Sequence, residues 1–122
     1  MPRHRILLKV KNLKNCDNLI NQIINDQLKK RKAQNIVVEV EIVAASRMKT
    51  LNRKYMGENS ATDVLSFPLN KIPGEKNVNI GTIVICNDII KLQAKDHKLS
   101  FEGEFSKILR HGVDHLLGLH HK

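Results

Sequence analysis

The placement of histidine near the end of the chain constrains its fold and its chemistry more than any other feature. Four of the six histidines fall in the last twelve residues, at positions 111, 115, 120 and 121. His111 and His115 are four residues apart, so in a helix they lie one above the other on one face. Gly118 is the residue type that ends helices in the left-handed conformation and turns the chain back. The pattern therefore predicts a helix and a turn that bring a third imidazole, from His120 or His121, to the first two.

Three neutral imidazoles that meet at one point form a metal site with one coordination position left open, which is typical of catalytic zinc sites. No cluster of Asp or Glu accompanies the histidines in the sequence, and this disfavours Mg²⁺ and Ca²⁺. Imidazole suits Zn²⁺, Ni²⁺, Cu²⁺ and Fe²⁺, and the prediction is one Zn²⁺ per chain. The structural alternative is chance spacing of two histidines, but this does not explain a third histidine beyond a glycine.

Two residues between the histidines bear on the reaction. A zinc-peptidase helix carries His-Glu-x-x-His with the glutamate as general base, and Gly112 occupies the position of that glutamate. This argues against peptidase chemistry and leaves the proton acceptor unassigned. Asp114 lies about 60° round the helix from His111. It either orients a metal ligand by hydrogen bonding to it or faces solvent.

Three blocks of the sequence resemble the YbeY family of endoribonucleases. The last block has that family's pattern His-Gly-x-x-His-Leu-x-Gly-x-x-His over residues 111–121. A central block combines Leu-Asn-Arg-Lys-Tyr at 51–55 with Thr-Asp-Val-Leu-Ser-Phe-Pro at 62–68, and Gly-Thr-Ile-Val-Ile at 81–85 resembles a strand of the family. The departures from the family pattern are Thr82 in place of an acid, Met56 in place of arginine, and Leu119-His120 in place of Tyr-Asp.

The resemblance implies a single-strand-specific, zinc-dependent endoribonuclease that acts on ribosomal RNA, with ribosomal particles as partners in ribosome biogenesis. It also implies that His111, His115 and His121 bind the metal. Successive side chains of extended backbone point to opposite sides, so His120 and His121 cannot both face one ion, and the family pattern has its third histidine at 121. One alternative is a metal-stabilised ribosome assembly factor that binds RNA without cutting it. Another is a metallohydrolase of small substrates.

The charge of the chain indicates a polyanionic partner. A formal charge of +9 arises from 21 Lys and Arg against 12 Asp and Glu, and nucleic acid is the commonest partner of such a small basic domain. The sequence has no Trp, one Tyr and three Phe, so contacts to phosphates are expected to dominate over base stacking. Arg53, Lys54 and Arg110 are the candidates for holding the RNA backbone. The basic run at residues 29–32 is more simply a solvated helix end.

The length of 122 residues predicts a single domain over residues 1–122, which the family resemblance identifies as a metal-dependent ribonuclease domain. Its elements follow the order β-α-β-α-β-β-α-α, an α/β or α+β sandwich with a four-stranded mixed sheet and flanking helices. The predicted strands span residues 5–10, 36–43, 64–67 and 80–86, with a polar loop at 70–79. The predicted helix caps are Asp17, Ser46, Asn87 or Asp88, and Ser100, and Gly57 is predicted to end the second helix.

The composition gives no indication of membrane insertion or export. No apolar run approaches the roughly 20 residues that span a bilayer. The apolar run near the start is only Ile6, Leu7 and Leu8, which is too short for the core of a signal peptide. Cys16 and Cys86 are expected to be reduced thiols. Together these features predict a cytoplasmic protein.

Overall fold

The computed structural model describes residues 5–10, 16–33, 35–69 and 78–119. Strands and helices are combined in the mixed α+β class that the periodicity predicts. The elements are, in chain order, β1 (Arg5–Val10), α1 (Cys16–Lys30), β2 (Ile36–Ile42), α2 (Ala45–Met56), β3 (Val64–Pro68), β4 (Val78–Ile85), α3 (Asn87–Asp96) and α4 (Phe101–Leu116).

The described strands form one sheet in the order β1-β2-β4-β3. Strand β2 pairs in parallel with β1 and with β4, whereas β3 pairs antiparallel with β4. Four alternate residues of β2, Ile36, Val38, Val40 and Ile42, are all buried, as the alternation of side chains along a strand requires. Since β4 lies between β2 and β3, the strands at the two edges of the sheet are β1 and β3.

The two faces of the sheet are covered by different helices. One face packs against α1, α3 and α4, through Ile24 of α1, Ile90 of α3 and Phe105 of α4, all fully buried. The other face packs against α2, whose Met48 and Leu51 join a second cluster of buried side chains from β3, β4 and Cys86. The chain is therefore layered as helices, sheet and helix. Helix α4, which carries two of the histidines, and the basic helix α2 lie on opposite faces of the sheet.

A bulge interrupts β4 close to its first residues. Val37 pairs with Asn79 and Val38 pairs with Gly81, so Ile80 is an extra residue in β4. Gly81 has a φ of 131°, which side chains with a Cβ rarely adopt. A Cβ on Gly81 would also overlap the carbonyl oxygen of Phe67 and stand 3.0 Å from Cδ2 of Leu116. Glycine at this position therefore lets β3, β4 and α4 approach one another closely.

Three of the predicted helix caps are wrong. Helix α1 begins at Cys16, so Asp17 lies inside its first turn. The N-cap of α2 is Ala44 and that of α3 is Cys86, and neither position uses a side-chain cap. Ser46, Asn87 and Asp88 consequently lie within their helices. Helices α2 and α3 both start directly after a strand whose backbone is held by hydrogen bonds to other parts of the chain. The amide of Val43 donates to the carbonyl of Ile85, and the amide of Cys86 donates to the carbonyl of Asp63, both at 2.9 Å.

Other predictions are confirmed or lie outside the described residues. Ser100 caps α4 through a hydrogen bond that its Oγ accepts from the amide of Gly103 at 3.0 Å. Gly57 ends α2 in the left-handed conformation with a φ of 72°. Residues 70–77 of the predicted polar loop lie outside the described residues. In the part of the chain that the structure describes, no helix is both long enough and apolar enough to cross a membrane.

Candidate metal centre

Helix α4 presents His111 and His115 on its solvent side. Both residues are exposed, and both lie within the 16-residue helix Phe101–Leu116, so their spacing of four places them one turn apart on one face. The opposite side of the same turns is buried through Gly112, Val113 and Leu116. The predicted helix and the predicted common face for the first two histidines are therefore present.

Gly112 lets this part of α4 lie directly on the sheet. A Cβ at position 112 would stand 3.2 Å from Cγ2 and 3.3 Å from Cδ1 of Ile83, which is itself fully buried in β4. A glutamate here, as in a zinc peptidase, would direct its side chain into that core. The position is occupied by glycine because the backbone needs the space.

The chain turns sharply where α4 ends. Gly118 has a φ of 82°, in the left-handed region. Its amide donates to the carbonyl of His115 at 3.0 Å, and the amide of Leu119 donates to the carbonyl of Asp114 at 2.9 Å. This pair of bonds around a left-handed glycine is the Schellman motif, which satisfies the last carbonyls of a helix and redirects the chain. The predicted turn after the second histidine is confirmed.

The third ligand of the predicted site remains a prediction. His120 and His121 lie outside the described residues. Within the described residues, no group of three or more His, Cys, Asp or Glu side chains is placed to hold a metal ion. The described part of the site therefore consists of two imidazoles and a turn, and His121 is the residue that would complete it.

Asp114 is buried, so the suggestion that it faces solvent is wrong. Its carboxylate accepts hydrogen bonds from Nε2 of Gln27 at 2.7 Å and from Nε and Nη2 of Arg31 at 3.0 and 2.7 Å. Only 4% of the Asp114 side chain is exposed, against 31% of that of Arg31. The hydrogen bonds to Asp114 raise the pKa of the Arg31 guanidinium above its usual value. Asp114 thus joins the end of α1 to the part of α4 that carries the histidines.

This connection was missed in the sequence, although a signal for it exists. Gln27 lies on the buried stripe of α1 and is 4% exposed, and Asp114 lies on the buried side of α4. Because unpaired polar groups are costly to bury, two polar residues that interrupt two apolar stripes indicate a pair. Arg31 was assigned to a solvated basic run, but it follows α1 directly and binds Asp114.

A second buried carboxylate connects α3 to α4. Oε1 of Glu104 lies 2.5 Å from Nδ1 of His97, and its Oε2 lies 3.2 Å from Nζ of Lys107. The Glu104 side chain is fully buried. The hydrogen bond with His97 and, after it, that with Lys107 lower the pKa of Glu104, against the opposing effect of burial. His97 therefore contributes to the packing of α3 against α4, and it is not one of the predicted metal ligands.

The three residues proposed for RNA binding are exposed but do not share a face. Arg53 and Lys54 lie in the last turn of α2, and Arg110 lies on α4 beside His111. Helices α2 and α4 cover opposite faces of the sheet. The edge strand β3 contacts both helices, through Leu65 under α2 and through its packing against α4. Arg110 and the two cations of α2 therefore lie on different sides of the sheet.

Comparisons with known proteins find a family model, relatives and a solved structure that are similar to this chain. The family model described as endoribonuclease YbeY matches residues 6–122. An endoribonuclease YbeY of Buchnera aphidicola (subsp. Schizaphis graminum) is 30% identical over 125 residues, which cover 98% of this chain and 79% of the relative. One of Thermodesulfovibrio yellowstonii is 40% identical over 87 residues, 71% of this chain and 55% of the relative. A solution structure of a Thermotoga maritima protein is similar with a TM-score of 0.62 and 27% identity, over 98% of this chain and 75% of that one.

Proposed function

This chain belongs to the YbeY family of endoribonucleases, and we propose that it cleaves single-stranded RNA with a zinc ion held by His111, His115 and His121. The substrate that we propose is ribosomal RNA in maturing ribosomal particles. The observation that carries the proposal is the arrangement at the end of α4, where two exposed histidines one turn apart are followed by a left-handed turn at Gly118. A turn of this kind redirects the chain at the end of a helix.

The residues of α4 fit a zinc ion by the chemistry of their side chains. Neutral imidazole is a preferred ligand of zinc, and His111 and His115 present two of them toward solvent. The backbone beneath them is fixed by the packing of Gly112 on Ile83 and by the bonds of Asp114 to α1. When bound by three histidines, zinc supplies Lewis-acid activation of water near neutral pH.

Gly112 and the exposed cations of α2 and α4 favour a phosphodiester substrate over a peptide. Gly112 takes the place of the glutamate base of zinc peptidases and faces the core. Arg110 is exposed next to His111, and α2 carries Arg47, Lys49, Arg53 and Lys54, with no acidic residue in its twelve positions. These cations would hold phosphates and orient the strand, whose negative charge is the chemical complement of a chain with a charge of +9.

A cleavage assay tests the proposal. Zinc-loaded protein is incubated with an end-labelled single-stranded RNA and with a duplex of the same sequence, before and after the metal is removed by a chelator. We expect the single strand to be cut, cutting to stop on chelation, and zinc to restore it. If the protein binds the single strand without cutting it in any metal state, the chain is an assembly factor and the proposed reaction is wrong.

The dependence of binding on salt separates both RNA functions from hydrolysis of small substrates. A strand held through several phosphates should lose at least about tenfold in affinity between low and physiological salt, because its binding releases condensed counterions. A flat response to salt, together with hydrolysis of a small phosphodiester, would indicate a metallohydrolase of small substrates instead.

A further inference from the structure

We infer that Tyr55 is a stacking platform for one nucleobase of the RNA strand, an inference that rests on the proposed RNA substrate. Tyr55 lies in the last turn of α2 and is 54% exposed, so much of its ring is in contact with solvent. The ring is nevertheless held in place, because Phe67 of β3 packs against it with centroids 5.2 Å apart and an interplanar angle of 69°. An edge-to-face partner of this kind fixes the ring.

A cation lies over the ring of the platform. Nζ of Lys54 lies 5.2 Å from the centroid of the Tyr55 ring, and Arg53 precedes it in the same exposed turn. The helix then ends at Gly57, so the ring and both cations stand at one end of α2. An exposed aromatic ring with one cation against it and a second cation in the same helical turn is a combination that suits single-stranded nucleic acid, with the ring for the base and the cations for its phosphates.

The platform is connected to the metal centre through the edge strand β3. Phe67, which holds Tyr55, pairs with Thr82 of β4. The carbonyl oxygen of Phe67 and Cδ2 of Leu116 both approach the position that a Cβ of Gly81 would take. Leu116 directly follows His115 on α4. The strand that holds Tyr55 therefore packs against the end of α4 that carries the proposed metal ligands.

The composition of the chain provides a direct probe of this contact. Tyr55 is the one tyrosine and there is no tryptophan, so intrinsic fluorescence of the protein reports on this ring. A base stacked on the phenol should quench that emission. The probe strand is an oligodeoxythymidylate, which has bases and phosphates but is not a ribonuclease substrate, compared with an abasic strand of the same length and charge.

The variants separate the aromatic ring from its effect on folding. Tyr55→Leu keeps an apolar side chain against Phe67 but removes the aromatic face, and Tyr55→Phe keeps the face. Leu92→Ala, at another strongly exposed apolar residue on α3, is the matched control. Affinities are measured from the anisotropy of labelled strands at one fixed salt concentration, and thermal unfolding of each variant shows that it is folded.

We expect the thymidylate strand to quench the tyrosine emission and the abasic strand to leave it unchanged. Tyr55→Leu should weaken binding of the thymidylate strand at least about fivefold and leave binding of the abasic strand unchanged, since stacking acts on the base alone. Tyr55→Phe and Leu92→Ala should bind as the wild type does. Equal affinity of wild type and Tyr55→Leu for the thymidylate strand would overturn the platform while leaving RNA cleavage intact. Failure of both strands to bind would also overturn the platform, whereas the cleavage assay on single-stranded RNA tests the proposed substrate separately.

Discussion

Asp114 is the residue that most directly links the packing of the chain to its proposed chemistry. It lies between His111 and His115 in sequence and is held from α1 by Gln27 and Arg31. A buried carboxylate is tolerated only when it is paired and hydrogen-bonded. The bidentate contact with Arg31 also has a fixed geometry, so it restrains rotation of the histidine-bearing turns of α4 relative to α1.

Loss of Arg31 alone should therefore lower the free energy of unfolding more than loss of both members of the ion pair. Arg31→Ala removes the cation while the carboxylate stays buried, and we expect a clear decrease in the free energy of unfolding, measured by urea denaturation. Adding Asp114→Leu to the same chain should recover most of that loss, because the unpaired charge is gone. Arg47→Ala, at an exposed residue of α2, should have little effect. A double variant no more stable than Arg31→Ala would show that the buried charge is not the cause.

The two neighbouring histidines at the end of the chain provide a matched pair for the metal site. His121→Ala should lose most zinc affinity, because it removes one of three ligands, whereas His120→Ala should retain about one zinc per chain. The measurement is the metal content of each purified variant after dialysis against a fixed zinc concentration. Retention of zinc by His121→Ala and its loss from His120→Ala would reverse the assignment.

At the scale of secondary structure, the sequence predicted what depends on local patterns. The alternation in β2, the apolar stripe of α4 and the stop at Gly118 are local signals, and all three are observed. The caps at Ser46 and Asn87 were wrong because the backbone of these helices is positioned by bonds to distant strands and not by a side-chain cap. The place of β4 between β2 and β3 could not be predicted either, since strand pairing depends on contacts far apart in the chain.

The bulge in β4 should be among the elements least tolerant of substitution. Gly81→Ala combines a positive φ with an overlap of backbone atoms in β3, and we expect a cost of at least about 2 to 3 kcal/mol in unfolding free energy. Gly57 has a φ of 72°, in the left-handed region, and open space around it, so Gly57→Ala should cost about 1 kcal/mol. Equal costs in urea denaturation would show that β3, β4 and α4 do not pack as closely as described.

The contact of α3 with α4 should depend on pH. Glu104 has a pKa that His97 and Lys107 lower below the ordinary value of 4.5. A carboxylate whose pKa is lower in the folded chain stabilises the fold above the ordinary value, and this contribution is lost as the pH falls toward the lowered pKa. We expect wild type to lose more stability than Glu104→Gln between about pH 5 and about pH 3. Identical losses in the two proteins would contradict the role of Glu104.

At the scale of the whole molecule, the sheet separates the proposed metal ligands of α4 from the cations of α2. The edge strand β3 packs against both helices. Helix α4 carries the proposed metal ligands on one face, and α2 carries cations on the other. Charge and the histidine motif indicated both functions from the sequence. Their arrangement around β3 could not be predicted, because it follows from the strand order and from the close approach at Gly81. The inference that the exposed ring of Tyr55 stacks a base likewise depends on that arrangement.

The measurement that tests the central claim most directly is the rate of single-stranded RNA cleavage by His115→Ala and His120→Ala in the presence of zinc. Removal of a ligand from the exposed face of α4 should lower the rate at least about a hundredfold, and thermal unfolding of the variant checks that it is folded. The His120→Ala control should cut RNA at close to the wild-type rate. Cleavage by folded His115→Ala at the wild-type rate would contradict the assignment of the reaction to a metal held by these histidines.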